Sequence, residues 1–262
     1  MNGEENKEEN KMNKDKKLNI KYYKEEYDRC RASHEKWGGY FGYIQWQYNF
    51  KTWMNEFYPG IINKLPAFMS IDAETDGLWG PAFCIAITLH NIDGDEISHH
   101  VFTYENYIED VKNTWVKENV LPSIFIPADA YVAKSRLAML KAFADLWLEH
   151  KDYVQVVWHM GHVVEAGLFG ELRELELIGD FDAPYTPIEV STLLAVVGKS
   201  PDSVDTFAKN HNLLSNIYGS THDPLYDCRV TMAVFSHIMR KTIINTYYDN
   251  EAKREIKAFS VK

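Results

Sequence analysis

Ser70–Gly80 reads SIDAETDGLWG and leads into the apolar run PAFCIAITLH. AFMSIDAE has the composition of a strand, yet it carries Asp72 and Glu74 two residues apart. Side chains at i and i+2 of a strand project to the same face, so the two acids point together. Adjacent carboxylates entering a core repel unless a cation lies between them. Mg²⁺ and Mn²⁺ favour oxygen ligands, so a hard divalent ion is the expected companion. Gly77 and Gly80 let the chain turn away and a substrate backbone approach. A lone D-x-E is weak evidence, since 38 of the 262 residues are acidic and chance pairs recur.

Downstream of this stretch the pattern is that of an α/β sheet of mixed strand direction. PAFCIAITLH and DEISHHVFTY read as two strands joined by the turn N-I-D-G-D. AKSRLAMLKAFADLWLEH reads as a helix with Leu137, Leu140, Ala144 and Leu148 on one face. YVQVVWH reads as a buried strand, GHVVEAGLFGELRELEL as a helix, and TPIEVSTLLAVV as ambiguous, a strand running into a helix. SPDSVDTFAKNHNL reads as a helix whose start carries Ser200, Pro201 and Asp202. HDPLYDCRVTMAVFSHIMRKTI reads as a long final helix with Pro224 in its first turn. Antiparallel strands followed by alternating helix and strand give the mixed sheet.

Upstream, the composition changes twice. Residues 1–19 are nearly all Glu, Lys, Asn and Asp, and such a segment buries too little apolar surface to order itself. Residues 20–66 are crowded with aromatics, among them Trp37, Trp46 and Trp53. They suit a helical arm packed on the main domain or on a second copy of the chain, giving a homodimer; stacking on unpaired bases is the other use of such residues. The main domain is expected over 67–245 and a polar tail over 246–262.

Composition narrows the function classes. The net charge of -10 argues against a protein that coats long duplex stretches, but not against one gripping a strand end with the help of bound cations. Cys30, Cys84 and Cys228 are sparse and lack C-x-x-C spacing, which argues against a disulfide framework or zinc ribbon and for a reducing, cytoplasmic setting. The apolar runs are too short to span a bilayer and no secretory leader is visible, so no membrane partner is expected.

HDPLYD places His222 five residues before Asp227. With His222 in the loop entering the helix and Asp227 in its first turns, both face one cleft. A neutral imidazole suits a general base, and Asp227 adds a further hard oxygen.

DAETDGL on the first strand and HDPLYD at the last helix resemble the D-x-E-T-x-G-L and H-x4-D motifs of the DEDDh branch of the DnaQ-like 3′→5′ exonucleases. The resemblance covers roughly Ala67 to Arg240. It implies an RNase H-like fold, with a mixed five-stranded sheet flanked by helices, and two Mg²⁺ or Mn²⁺ ions about 3.5–4 Å apart. The middle motif, VVWHMGHVVEAGLFGEL, departs from the family. His159 is present, Met160 stands where Asn is expected, and the aspartate position falls on Val164 or Glu165 according to the spacing. Glu165 is preferred, because that register puts Leu168 and Phe169 on the buried side of the helix. The longer side chain would fix a metal's geometry less firmly.

The resemblance thus implies metal ligands Asp72, Glu74, Glu165 and Asp227, with His222 as base. Substrate contacts would come from Thr75, Gly77, Leu78, Trp79 and His159. The implied reaction releases nucleoside monophosphates from the 3′ end of single-stranded DNA or RNA. The altered middle motif also fits a non-catalytic relative that binds nucleic acid ends or a protein partner. Asp180 and Asp182 read as a polar turn before Pro184, and His99, His100, His162 and His211 lack metal-ligand spacing.

Overall fold

The computed structural model describes residues 66–240 except 153 and 203. The charged tail, the aromatic arm and the C-terminal tail expected from the sequence lie outside the described residues. Among the described residues, contacts group 66–67 with His90–Ile97, and Phe68–Leu89 with 98–240. In the first group the described feature is the expected N-I-D-G-D turn. The Asn91 side chain accepts from the Asp93 and Asp95 amides, both at 2.9 Å, and Gly94 adopts φ 84°. This is an Asx-type turn, which Asn and Gly favour.

The described strands are β1 (Phe68–Thr75), β2 (Ala82–His90), β3 (Glu96–Tyr104), β4 (Tyr131–Ala133), β5 (Gln155–Trp158) and β6 (Ile188–Glu189). They form one six-stranded sheet in the order β4-β3-β2-β1-β5-β6. β1–β2 and β2–β3 are neighbours joined by short turns, and connections that short make antiparallel pairs. β5 pairs parallel with β1 and with β6, and β4 pairs parallel with β3. The α/β class and the mixed sheet flanked by helices expected from the sequence are therefore present, with six strands in place of five. The added strand is β4, three residues long at the sheet edge. It is too short for an alternating pattern to announce it.

Burial follows from position in the sheet. β2 lies inside it and is buried at all nine positions, which explains its unbroken apolar run. β1 is buried through Ile71 and then alternates, so that Ala73 is buried while Asp72 and Glu74 are partly exposed.

The described helices are α1 (Tyr107–Asp110), α2 (Thr114–Asn119), α3 (Arg136–His150), α4 (Val164–Glu174), α5 (Val190–Val196), α6 (Val204–Asn210) and α7, described over 224–240. α3 buries Met139, Leu140, Phe143, Ala144, Trp147 and His150. Leu137 is 56% exposed, which corrects the face expected from Leu137, Leu140, Ala144 and Leu148. Phe143 meets Phe102 of β3 and Phe169 of α4 at ring distances of 6.0 and 5.8 Å, and Trp147 meets Phe169 at 5.0 Å. Burying such side chains stabilises by roughly 1.5–3 kcal/mol each. This cluster selects the face, and Arg136 fixes the helix start. Its guanidinium grips both Glu171 oxygens at 2.6 Å and the Ala82 carbonyl at 2.8 Å.

The TPIEV segment resolves into β6 followed by α5. α6 begins at Val204, later than the Ser200–Asp202 start read from the sequence. α7 lies over the central strands, with Phe235 edge-on to Phe68 at 5.1 Å and Cys228 Sγ 3.5 Å from the Ala86 carbonyl. No helix among the described residues is long and apolar enough to cross a membrane.

Candidate functional site

Three carboxylates converge from the two ends of the domain. Asp72 and Glu74 leave β1 on its partly open face, and Asp227 sits in the first turn of α7. One oxygen from each lies within 4.8 Å of the others. The local cause is the HDP sequence. Asp223 caps α7, accepting from the Leu225 amide at 3.2 Å, and Pro224 occupies the first helical position. This entry turns His222 into a left-handed conformation, φ 72°, and its N–H donates to Asp227 Oδ2 at 2.9 Å. The His222 Nδ1 stands 3.8 Å from Glu74 Oε1.

The electrostatics follow from crowding. Burial, then the Glu165 and Asp223 charges, holds the Asp72 carboxyl well above its ordinary value. Burial, then the Asp72 and Asp227 charges, pushes Glu74 up to about 10. Burial and Asp72 push Asp227 up to about 9, against the pull of the His222 amide. Three carboxylates that raise one another's pKa, with an oxygen of each within 4.8 Å of the others, fit a divalent ion. The donor set therefore suits Mg²⁺ or Mn²⁺, and the lack of thiolate among its donors argues against a soft metal.

Glu165 lies beside this trio, buried in the first turn of α4 with 3% exposure. Its Oε1 accepts from the Ala73 amide at 3.0 Å. Burial pushes its carboxyl up to about 7, opposed by hydrogen bonds from backbone amides including that of Ala73. One of its oxygens is thus committed to β1 between the two acids of that strand. Val164, the other register, opens the same helix.

The other candidates have separate local contacts. Thr75 Oγ1 donates to the Gly77 carbonyl at 2.9 Å, and Gly77 adopts φ 84°. A Cβ on Gly80 would lie 2.1 Å from the Asp76 carbonyl oxygen, so only glycine fits there. Leu78 and Trp79 project outward, 61% and 82% exposed. His159 ends past β5 with Nε2 2.9 Å from the Pro201 carbonyl oxygen. Asp182 accepts from the Gly179 amide at 2.7 Å and pairs with Lys151 at 3.1 Å, a turn apart from the trio, as its sequence suggested.

Sequence reasoning passed over three residues. Glu189 receives the Met160 and Gly161 amides at 2.7 and 3.1 Å and so holds the turn between β5 and α4. Met160 is left-handed there, φ 59°. Asn tolerates that conformation better than Met, which gives a backbone reason for Asn at this position. No local signal marks Glu189, because its partners lie on another strand's turn. Asp223 could have been found, since Asp before Pro is a helix-entry signature. Asp76 accepts from the Lys112 and Asn113 amides at 2.9 and 2.7 Å and tethers the β1–β2 turn to the start of α2.

Solved structures similar to this chain include S. pombe Pop2p in its Mg²⁺ and Mn²⁺ bound form, at 14% identity and a TM-score of 0.47, covering 74% of this chain and 88% of that one. Exonuclease X in complex with 5′ overhanging duplex DNA is similar at 19% identity and a TM-score of 0.45, covering 66% of this chain and 92% of that one. No protein-family model and no curated protein matches the chain.

Proposed function

We propose that this chain is a metal-dependent 3′→5′ exonuclease of the DEDDh kind, acting on single-stranded DNA or RNA ends. The carrying observation is the trio Asp72, Glu74 and Asp227, with oxygens within 4.8 Å, beside the His222 imidazole. Asp72, Glu74 and Asp227 would hold the divalent ions, and Glu165 would add charge while it steadies β1 through Ala73. When bound, such ions supply a more acidic water and neutralise charge on the phosphoryl oxygens.

The protein's own groups do the rest. With Nδ1 turned toward Glu74, His222 takes the proton of the attacking water at Nε2. The water oxygen bonds to phosphorus and the 3′-oxygen of the preceding nucleotide leaves, freeing a nucleoside monophosphate. The exposed Leu78 and Trp79 meet the terminal base, where stacking contributes about 1–3 kcal/mol per base. The Thr75–Gly77 turn brings backbone close to the last sugar and phosphate. His159, held by the Pro201 carbonyl, borders the cleft from the β5 end.

The test is degradation of 5′-labelled and 3′-labelled oligonucleotides in Mg²⁺ and in Mn²⁺. Stepwise shortening of the 5′-labelled strand, lost in Asp72→Asn and His222→Asn, is the expected result. Absence of degradation by the wild type, with one ion or none bound by calorimetry, would favour a non-catalytic module. The committed Glu165 oxygen is the observation on that side.

A further inference from the structure

We infer that Trp115 is a positioning residue for the His222 imidazole, and that Asp76 sets it in place; this rests on the nuclease reading above. The His222 ring has few constraints of its own. Its backbone is fixed by Asp227, but Nδ1 is 3.8 Å from Glu74, beyond hydrogen-bond reach, and the side chain is 39% exposed. Among the described residues, the ring that packs against it is the Trp115 indole. The two rings meet edge-on, 5.6 Å apart at 88°. Such aromatic pairs have a preferred geometry and add energy beyond area burial.

Trp115 itself is 56% exposed, so it is not a core residue that happens to touch His222. It rides on α2, a six-residue helix too short to hold its own orientation. Two contacts supply that orientation. Val116 is buried beneath the helix. At its start, the Asp76 carboxylate receives the Lys112 and Asn113 amides at 2.9 and 2.7 Å, while the Asn113 side chain caps α2 by accepting from Val116 at 3.2 Å. The Asn113 amide also packs over Gly77, where a Cβ would come within 2.7 Å of it. Asp76 is two residues past Glu74, in the turn that follows β1. The turn that leaves the acids of β1 therefore also sets the residue that orients the proposed base.

The experiment is a cycle of Trp115→Ala, Asp76→Ala and the double variant, with Trp115→Phe as rescue, assayed on a 5′-labelled oligonucleotide in Mn²⁺. Misplacing a reacting group by about 1 Å can cost on the order of 100-fold. Trp115→Ala is expected to lower kcat by about 10- to 100-fold with KM nearly unchanged, and Trp115→Phe to restore most of it. The double variant should be no worse than Trp115→Ala, because Asp76 acts through the indole. A raised KM with unchanged kcat would make Trp115 a substrate contact and overturn the inference; so would additive losses. The His222 ring resonances, assigned by their loss in His222→Asn, give a readout independent of turnover. In metal-free protein Trp115→Ala and Asp76→Ala should both shift them, and unmoved resonances would defeat the inference whether or not the wild type is active. An inactive wild type with shifted resonances would defeat the nuclease reading alone.

Discussion

Asp72→Asn should make the metal-free protein more stable, and increasingly so as pH rises. The carboxylate oxygens of Asp72, Glu74 and Asp227 lie within 4.8 Å of one another. Two charges that close repel by about 3 kcal/mol at an effective dielectric of about 20. The folded protein relieves this by keeping protons: Glu74 is raised to about 10 and Asp227 to about 9. Keeping them has its own cost, about 1.4 kcal/mol for each pH unit above the ordinary value. Near pH 7 the two routes cost similar amounts, so removing one charge should stabilise by on the order of 2 kcal/mol. For a chain of this size that is a rise of roughly 4–8 °C in Tm.

The sign with pH follows from linkage. Folded-state values above the unfolded ones mean that the folded state binds more protons. Stability is then fully present below about pH 4.5 and is lost as pH rises toward 9–10. The gain from Asp72→Asn should therefore be small at pH 5 and largest at pH 9. Thermal unfolding followed by circular dichroism in EDTA, at pH 5, 7 and 9, measures it. A variant no more stable than wild type at pH 9, or a gain independent of pH, would refute the reasoning. Saturating Mn²⁺ should reverse the order, since an ion that binds only the folded wild type raises its stability by mass action.

Glu165 separates a structural from a chemical contribution. Glu165→Ala strands the buried Ala73 amide and should cost about 1–3 kcal/mol in denaturant unfolding, whereas Glu165→Gln keeps an acceptor there and should lose activity with little loss of stability. Met160→Asn should stabilise by about 0.5–1 kcal/mol in the same measurement, because Asn is more at ease at φ 59°. Gly80→Ala should destabilise by more than about 2 kcal/mol, since its Cβ would overlap the Asp76 carbonyl; an unchanged Tm would show that the turn can rearrange.

What the sequence revealed was what has a short period or a local signature. The alternation in SIDAET put Asp72 and Glu74 on one face, N-I-D-G-D announced the hairpin, and HDPLYD announced a helix entry with an acid one turn in. What it withheld depends on contacts between distant segments. RLAMLKAFADLWLEH carries apolar residues nearly all round, so its periodicity could not choose between neighbouring stripes; Phe102 and Phe169 made the choice. Glu189 became visible only once β6 lay beside β5, bringing its carboxylate to the Met160–Gly161 amides. The partial commitment of Glu165 to Ala73 was hidden for the same reason. Spacing can nominate a carboxylate, but only the folded chain shows which of its oxygens are free.

The left-handed backbone at His222 also decides how a reference-grade inactive form should be made. At φ 72° the native histidine already sits in the left-handed region, which His, Asn and Asp adopt several-fold more often than other non-glycine residues, so an alanine there adds backbone strain. Any silence of that variant would mix a change in the loop with a missing imidazole. Asn accepts the conformation and keeps a polar side chain, and Gly accepts it with none. Those two together form the cleaner control: if both are silent with unchanged melting, the imidazole is the cause. The same angle limits a saturation library at this position, where β-branched residues would drop out for backbone reasons and say nothing about chemistry.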